Sequence, residues 1–194
     1  PGKDLQFKTG IFAGLNPLNG PGFLRFDTVD IRPAYGYWQK NNYWLDATFH
    51  LCYTLTDYLH VTLGRGRQKT GTGMRSLLLG NQGSPYPFLN LALNLEHLHY
   101  DFRLMKLREY AEIKGKDRYI EKYGVMHQFS WNASDWLNLY GFEAIVWGAR
   151  DSVGYRGWEL NYLNPVAFLR PVEFSIGSPD NVLMGLGIGL KPWN

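Results

Sequence analysis

The stretch "YWLDATFHLCYTL" (43–55) alternates large apolar and smaller or polar side chains over 13 residues. Successive side chains of a β-strand point to opposite faces, so a period of two predicts a strand with one apolar and one polar face. The alternation is long for a globular protein, whose strands usually have about five or six residues. One face collects Tyr43, Leu45, Ala47, Phe49, Leu51, Tyr53 and Leu55.

The same period returns along the rest of the chain. Every second residue is large and apolar in 89–95, 98–104 and 182–190, and a third hairpin is predicted at 123–131 and 137–147, joined by the turn-like "NASD" (132–135). The alternation in this third hairpin is less regular than in the others. Tight turns alternate with longer connections between strands, which we call excursions, at 65–88 and 106–122. The pattern predicts an all-β, antiparallel fold in one domain, 1–194, with loop or plug segments at 65–88 and 149–181.

Two kinds of protein show such strands. In a soluble sandwich the apolar face packs on a second sheet, whereas in an outer-membrane barrel it faces lipid and the polar face lines a lumen. Strand lengths near the about 9–11 residues that cross a bilayer favour the barrel. Aromatic residues make up 16% of the chain and cluster at strand ends, as in membrane-interface belts. We therefore expect an outer-membrane β-barrel, and the soluble sandwich is the alternative.

Composition and motifs narrow the function. A net charge of +3 without a basic cluster argues against nucleic acid as a partner. "GRGRQKTG" (64–71) lacks the glycine before lysine that a phosphate-binding loop requires. No GxSxG elbow is present, and His97 and His99 lack a third metal-ligand candidate nearby. We expect no catalytic residues, no metal and no cofactor.

Polar side chains are concentrated in the non-strand segments. Glu143, Glu159, Glu173 and Asp180 could supply the carboxylate pair of a glycosidase. Arginines are equally numerous, and arginine–carboxylate pairs that fix a plug to a barrel wall are the simpler interpretation. Aromatic residues in the same segments also make a sugar-binding surface plausible. "NYLNPVAFLRPVEF" (161–174) predicts a short helix with Asn164 as N-cap and Pro165 at its first position.

Two segments resemble a known family. "GTGMRSLLLGNQGSPYPFLNL" (71–91) and "RGWELNYLNPVAFLRPVEFSIGSPDNVLMGLGIGLK" (156–191) are similar to the Wzi-type capsule assembly proteins, in particular to the RemB-like gliding-motility branch. The resemblance covers roughly residues 60–191. It implies an outer-membrane β-barrel occluded by short helical segments, which binds surface polysaccharide and is not an enzyme. The chain is shorter than the family's usual length, so we expect a partial barrel that is completed by further strands or by another chain.

We predict twelve residues of a polysaccharide-binding site or lumenal polar network: Arg75, Tyr86, Arg156, Trp158, Glu159, Asn161, Tyr162, Asn164, Arg170, Glu173, Asp180 and Asn181. The expected location is the bacterial outer membrane, and the expected partners are surface polysaccharide, outer-membrane lipid and other envelope proteins. Arg170, Glu173 and Asp180 are expected to meet polar groups on the inner wall. Two alternatives remain open: a component of a gliding-motility or adhesion apparatus, and a soluble sandwich enzyme that acts on glycans.

Overall fold

The computed structural model describes residues 4–15, 25–26, 29–30, 38–40, 43–70, 79, 85–113, 116–150, 154–165 and 180–191. These residues form strands and a single short 3-10 helix, so the predicted all-β class is confirmed. The strands are β1 (Leu5–Leu15), β2 (Arg25–Phe26), β3 (Val29–Asp30), β4 (Trp38–Lys40), β5 (Tyr43–Thr56), β6 (Leu59–Gly66), β7 (Tyr86–Asn94), β8 (Leu98–Ile113), β9 (Lys116–Ser134), β10 (Leu137–Gly148) and β11 (Asn181–Leu190). The 3-10 helix spans Leu160–Leu163.

Nine strands form one antiparallel sheet in the order β1-β5-β6-β7-β8-β9-β10-β11, with β4 also paired to β5. Strands β2 and β3 pair with each other. From β5 to β11, each strand pairs with the next one along the chain, so this part of the sheet is a meander. No helix in the described part of the chain is long and apolar enough to cross a membrane.

The register places most of the large apolar side chains of the main sheet on one face. Directly paired residues share a face, and the pairs Phe7↔Leu51, Leu51↔Leu63 and Leu63↔Leu89 begin a series that continues to β11. We call this the apolar face. It includes Phe7, Leu51, Leu63, Leu89, Leu104, Val125, Ile145 and Val182, whereas the opposite, polar face includes His50, Thr62, Asn90, Arg103, Gln128 and Asn138.

The two ends of the sheet differ. Short turns at Asp57–Tyr58, 95–97 and Asp135–Trp136 all lie at one end, which we call the turn end. The connections 67–85 and 149–180 leave from the opposite end, the loop end, where the β8–β9 hairpin also extends. The tight turns and the excursion after β6 agree with the alternation that the sequence predicts, whereas the excursion predicted at 106–122 does not.

Part of the apolar face is covered and part is exposed. Toward the loop end of β8–β10 it carries the main core, in which Val125 and Ile145 are fully buried. Elsewhere the same face is open, and Phe7 is 66% and Leu186 is 86% exposed. The other exposed apolar side chains on this face include Leu5, Ile11, Phe49, Leu63, Met184, Ile188 and Leu190. Among the described residues, no second sheet covers this face as a sandwich would require.

The start of the 67–85 excursion folds over the polar face. Arg103 donates from Nη1 to Thr70 Oγ1 at 3.0 Å and from Nε to Asn90 Oδ1 at 3.1 Å. On the same polar face, Phe88, Met105 and Met126 form a second, smaller core. An arginine therefore attaches the start of this excursion to the sheet, through a hydroxyl and an amide rather than through the expected carboxylate, and Arg103 was not among the predicted site residues.

Two predicted boundaries are wrong. Residues 106–122 are not an excursion, because β8 and β9 continue as a hairpin to the pair Ile113↔Lys116. Its described side chains are tied by ion pairs such as Lys122–Glu109, 2.6 Å, which stabilise paired strands without a regular apolar alternation. The turn predicted at 132–135 lies at Asp135–Trp136, since β9 extends to Ser134 and the register shifts between Leu137 and Asn138.

The irregular alternation of β10 has a packing cause. Tyr140 and Phe142 lie on the polar face, directly opposite Gly187 and Gly185 of β11. A Cβ atom at Gly185 would lie 2.5 Å from the Phe142 ring, and one at Gly187 would overlap the Tyr140 ring. The aromatic rings therefore occupy the space that the glycines leave open, and apolar residues appear on both faces of β10.

Gly64 provides a test of the packing between β5 and β6. An added Cβ would lie 2.6 Å from the backbone oxygen of Phe49, which cannot move without disturbing the ladder. We expect Gly64→Ala to lower the free energy of unfolding by about 1–3 kcal/mol. Gly189→Ala is the matched control, because its Cβ would meet its nearest neighbour at an ordinary 3.5 Å. Urea unfolding of both variants checks this, and equal midpoints would contradict the proposed clash.

Candidate functional site

Residues 154–165 cross the loop end of the apolar face. The backbone N–H of Arg156 donates to the carbonyl of Ala149, and the Trp147 indole Nε1 donates to the carbonyl of Gly157, both at 2.9 Å. Gly157 has φ +61°, the left-handed region that glycine adopts without a steric penalty. Two hydrogen bonds thereby join the end of β10 to the turn at Gly157.

Five aromatic side chains meet at this position, and we call them the aromatic cluster: Tyr123, Trp147, Tyr155, Trp158 and Tyr162. Ring centroids are 4.4 Å apart for Tyr123–Trp158 and 5.1 Å apart for Trp147–Tyr162. Tyr123, Trp147 and Tyr162 are buried, whereas Trp158 is 42% and Tyr155 is 64% exposed. The cluster thus has a packed base from the strands and an exposed aromatic rim from the excursion.

A network of hydrogen bonds between polar side chains contacts the aromatic cluster through Tyr162. Arg156 donates from Nη1 and Nη2 to the two carboxylate oxygens of Asp180, at 2.6 and 2.8 Å, and the Tyr162 hydroxyl donates to Asp180 Oδ2 at 2.9 Å. The Asp180 side chain is only 4% exposed, so this bidentate pair is shielded from water. It connects residues 24 positions apart along the chain.

The two hydrogen-bond donors of the network keep their protons over the physiological pH range. The hydrogen bonds to Asp180 raise the pKa of Arg156, and burial followed by the bond to Asp180 raises the pKa of the Tyr162 hydroxyl. Arg156 therefore stays charged and Tyr162 stays protonated as a donor. The arrangement is that of a permanent anchor.

Further polar groups surround the exposed rings. Asn161 Nδ2 donates to Glu159 Oε1 at 2.9 Å, and Glu159 Oε2 lies 3.6 Å from Arg156 Nε. The hydroxyls of Tyr123 and Tyr155 are 2.9 Å apart, and the Arg150 guanidinium lies 5.9 Å from the centre of the Tyr155 ring. Hydroxyl, amide, carboxylate and guanidinium groups thus lie beside exposed aromatic surface.

The structure brings half of the predicted site residues together: Arg156, Trp158, Glu159, Asn161, Tyr162 and Asp180. Asn164 follows the 3-10 helix, and Asn181 begins β11, where its backbone pairs with Val146. Tyr86 lies on the polar face beside Phe88, and the aromatic cluster lies against the apolar face, so the sheet separates them. Arg75, Arg170 and Glu173 lie outside the described residues.

One expectation about this segment is corrected. Asp180 was expected to meet polar groups on the inner wall, but it bonds Arg156 and Tyr162 of its own excursion. Residues 154–165 pack on the apolar face, because Tyr162 and Trp158 find Trp147 and Tyr123 there. The predicted helix from Asn164 falls almost wholly outside the described residues, and the helical turn that is described, Leu160–Leu163, ends before it.

Sequence reasoning missed the base of the cluster. Trp147 is one of the aromatic residues that cluster at the ends of the predicted strands, and neither it nor Tyr123 was predicted as a site residue. Trp147↔Tyr123 is a direct cross-strand pair, so the register of β9 and β10 was the signal that could have found them. In the part of the chain that the structure describes, no three His, Cys, Asp or Glu side chains converge as metal ligands.

Comparison with known proteins adds no relative. No protein-family model matches the chain, and no curated protein or solved structure matches it. The likeness to the Wzi-type family therefore remains a resemblance carried by the two segments 71–91 and 156–191.

The buried pair makes a mutational prediction. Asp180→Ala removes the bidentate partner of the shielded Arg156 guanidinium, and we expect a loss of about 3–5 kcal/mol in the free energy of unfolding. Glu159→Ala is the matched control. Its contact to Arg156 is longer and Glu159 is more exposed, so its loss is expected to stay below about 1 kcal/mol.

Denaturant unfolding measures both losses, and limited proteolysis shows whether the excursion is released. Equal, small losses in the two variants, with no new cleavage within 149–165, would show that the pair does not anchor this segment.

Proposed function

We propose that the chain forms part of the wall of an outer-membrane β-barrel and binds surface polysaccharide, without catalysis, at the aromatic cluster. The observation that carries the proposal is the pairing of an exposed apolar sheet face with a rigid, partly exposed aromatic cluster at the loop end. The exposed apolar face is suited to contact with lipid, and the aromatic cluster is suited to binding a sugar ligand outside the bilayer.

The exposed part of the apolar face supports a bilayer location. Soluble monomers rarely leave large contiguous apolar areas in water, and outer-membrane barrels carry an outward apolar band about 25 Å tall. Here Phe7, Leu186 and Ile188 are all at least 66% exposed on strands at opposite edges of the sheet. β11, with 10 residues, has the length of a tilted membrane-crossing strand.

Charged residues mark where this band ends. Lys106 and Arg108 contact Glu121 at 3.2 and 3.5 Å, and all three lie toward the loop end of the apolar face. Ionised side chains are costly against lipid, so this end would project beyond the bilayer. Residues 154–165 cover the same end, which explains how an excursion packs on a face that elsewhere contacts lipid.

The aromatic cluster has the features of a sugar-binding surface. Tyr and Trp combine an apolar ring face, on which a sugar ring can stack, with a polar group that can bond a hydroxyl. Trp158 and Tyr155 expose their rings, and Asn161 and Glu159 lie beside them with both donor and acceptor atoms. Arg156 and Asp180 hold the rings in place, so little conformational entropy is lost on binding.

The carboxylates of the site support a non-catalytic role. Asp180 is occupied by Arg156 and Tyr162, and a general acid of glycoside hydrolysis has to reach the leaving-group oxygen of the substrate. Glu159 is bonded to Asn161 and lies near Arg156. Both carboxylates are thus engaged as hydrogen-bond acceptors within the site.

A barrel requires its edges to be paired. Among the described residues β1 and β11 are the two outer strands of the sheet, and an open edge in lipid would leave backbone groups unsatisfied. The proposal therefore includes closure by further strands or by another chain.

The sugar-binding proposal is tested by retention on immobilised capsular polysaccharide. We expect Trp158→Ala to weaken retention at least about tenfold, because it removes an exposed ring. Trp136→Ala is the matched control, since Trp136 is 50% exposed at the turn end. Equal retention of both variants and the native chain would contradict the site. Retention by envelope proteins with none by polysaccharide would favour the adhesion or gliding role.

The membrane proposal is tested by two arginine substitutions on β11. Leu186→Arg would place a charge in lipid and is expected to cost about 2–4 kcal/mol in a bilayer. Leu183→Arg is the control, because Leu183 lies on the opposite face and is also exposed, 48% against 86%. Folding into vesicles, followed by the shift in gel mobility on heating, measures the difference. Equal tolerance of both substitutions would support a water-soluble body.

A further inference from the structure

We call the uncovered part of the apolar face, which includes Phe7, Leu186 and Ile188, the exposed band. A groove lies on the apolar face between this band and the covered loop end. It has a volume of about 590 Å³, within the usual range of about 300–1,000 Å³ for small-molecule sites. Its walls are apolar side chains from β7 to β11, and its polar residues are Tyr100, His127 and Glu143. Pro165, at the end of the described excursion, contributes to the rim. The large apolar side chains of the apolar face that line it are Leu93, Leu98, Phe129, Met184 and Leu186.

A buried nitrogen in this groove has no hydrogen-bond partner among the residues that the structure describes. His127 is only 9% exposed, and its Nε2 atom is buried without a hydrogen bond. Its other ring nitrogen, Nδ1, lies 2.6 Å from the Tyr100 hydroxyl. An unsatisfied buried polar atom costs about 1–3 kcal/mol, so a group that satisfies Nε2 would gain binding energy.

The hydrogen-bond network assigns the role of that nitrogen. The Tyr100 hydroxyl donates its single hydrogen to the backbone carbonyl of Pro165, which can only accept. The hydroxyl oxygen must then accept a hydrogen from His127 Nδ1. In a neutral imidazole the remaining nitrogen, Nε2, is consequently an acceptor. The missing partner is therefore a hydrogen-bond donor.

The surroundings restrict the ligand further. Glu143 is the direct cross-strand partner of His127, and its carboxylate disfavours an anionic group at this point. The remaining walls suit a hydrocarbon chain. We propose that the groove binds a lipid acyl chain that carries a hydroxyl group, with the hydroxyl donating to His127 Nε2 and the chain lying along Phe129 and Leu186.

The site rests on the proposed membrane location and extends it. The groove opens onto the exposed apolar band, from which a chain in the outer leaflet or inner leaflet of a bilayer can enter without crossing water. The hydroxyl distinguishes a specific chain from the bulk lipid around it, because an unsubstituted chain leaves Nε2 unpaired.

The test compares two probes on the detergent-solubilised full chain. A β-hydroxymyristoyl amide and the matched myristoyl amide compete with a fluorescent acyl-chain probe. We expect the hydroxylated compound to bind about five- to tenfold more tightly. His127→Phe keeps the ring and removes the acceptor, so it should abolish this preference. His60→Phe, which alters the polar face, should retain it.

Two further measurements keep the outcome decisive. Met184→Trp fills the groove and should weaken both compounds alike, which tests the site even if His127→Phe fails to fold. Free β-hydroxymyristate tests the source of the chain: the free acid should bind more weakly than the amide, and tighter binding of the acid would overturn the assignment to a membrane lipid. Equal binding of the two amides to the native chain, or a preference that survives in folded His127→Phe, would overturn the proposal.

The outcomes are independent of the sugar-binding test. If the chain shows the hydroxyl preference but no retention on polysaccharide, the groove stands and the proposed sugar function fails. If Trp158→Ala loses retention while the amides bind equally, only the groove assignment fails.

Discussion

The cross-strand register of the sheet is the constraint on which the other features depend. Side chains alternate between faces, so a slip of one residue would move all the leucines of a strand to the polar face. Pairs such as Leu51↔Leu63 and Leu104↔Val125 show the same parity from β5 to β9. This shared parity creates a continuous apolar face, and the covered core, the exposed band and the groove are all parts of it.

Departures from strict alternation have local causes. The aromatic rings on the polar face of β10 compensate for the glycines of β11, which have no side chains to fill that space. Toward the tip of the β8–β9 hairpin, ion pairs such as Lys122–Glu109 replace apolar contacts between the strands. β10 and the loop-end part of the β8–β9 hairpin are therefore stably paired although neither shows a regular apolar pattern, because other contacts supply the pairing energy.

The division between the two ends of the sheet links fold to proposed function. At the loop end the apolar face meets charged side chains, aromatic rings and the excursion held by Arg156 and Asp180. At the turn end it is left exposed. A single face can therefore serve two environments, provided that a boundary runs across the strands. The buried His127 and Glu143 lie close to that boundary, where the groove begins.

The sequence alone determined the all-β class, most strands and the faces of their side chains, because alternation is a local property of the extended backbone. It also pointed to six residues of the candidate site, through a segment in which aromatic and polar groups are concentrated. Only the tertiary structure decided which face each excursion covers, that Asp180 pairs with Arg156, and that Tyr123 and Trp147 form the base of the cluster. These contacts join residues distant along the chain, so they depend on strand register and packing, which no local pattern encodes.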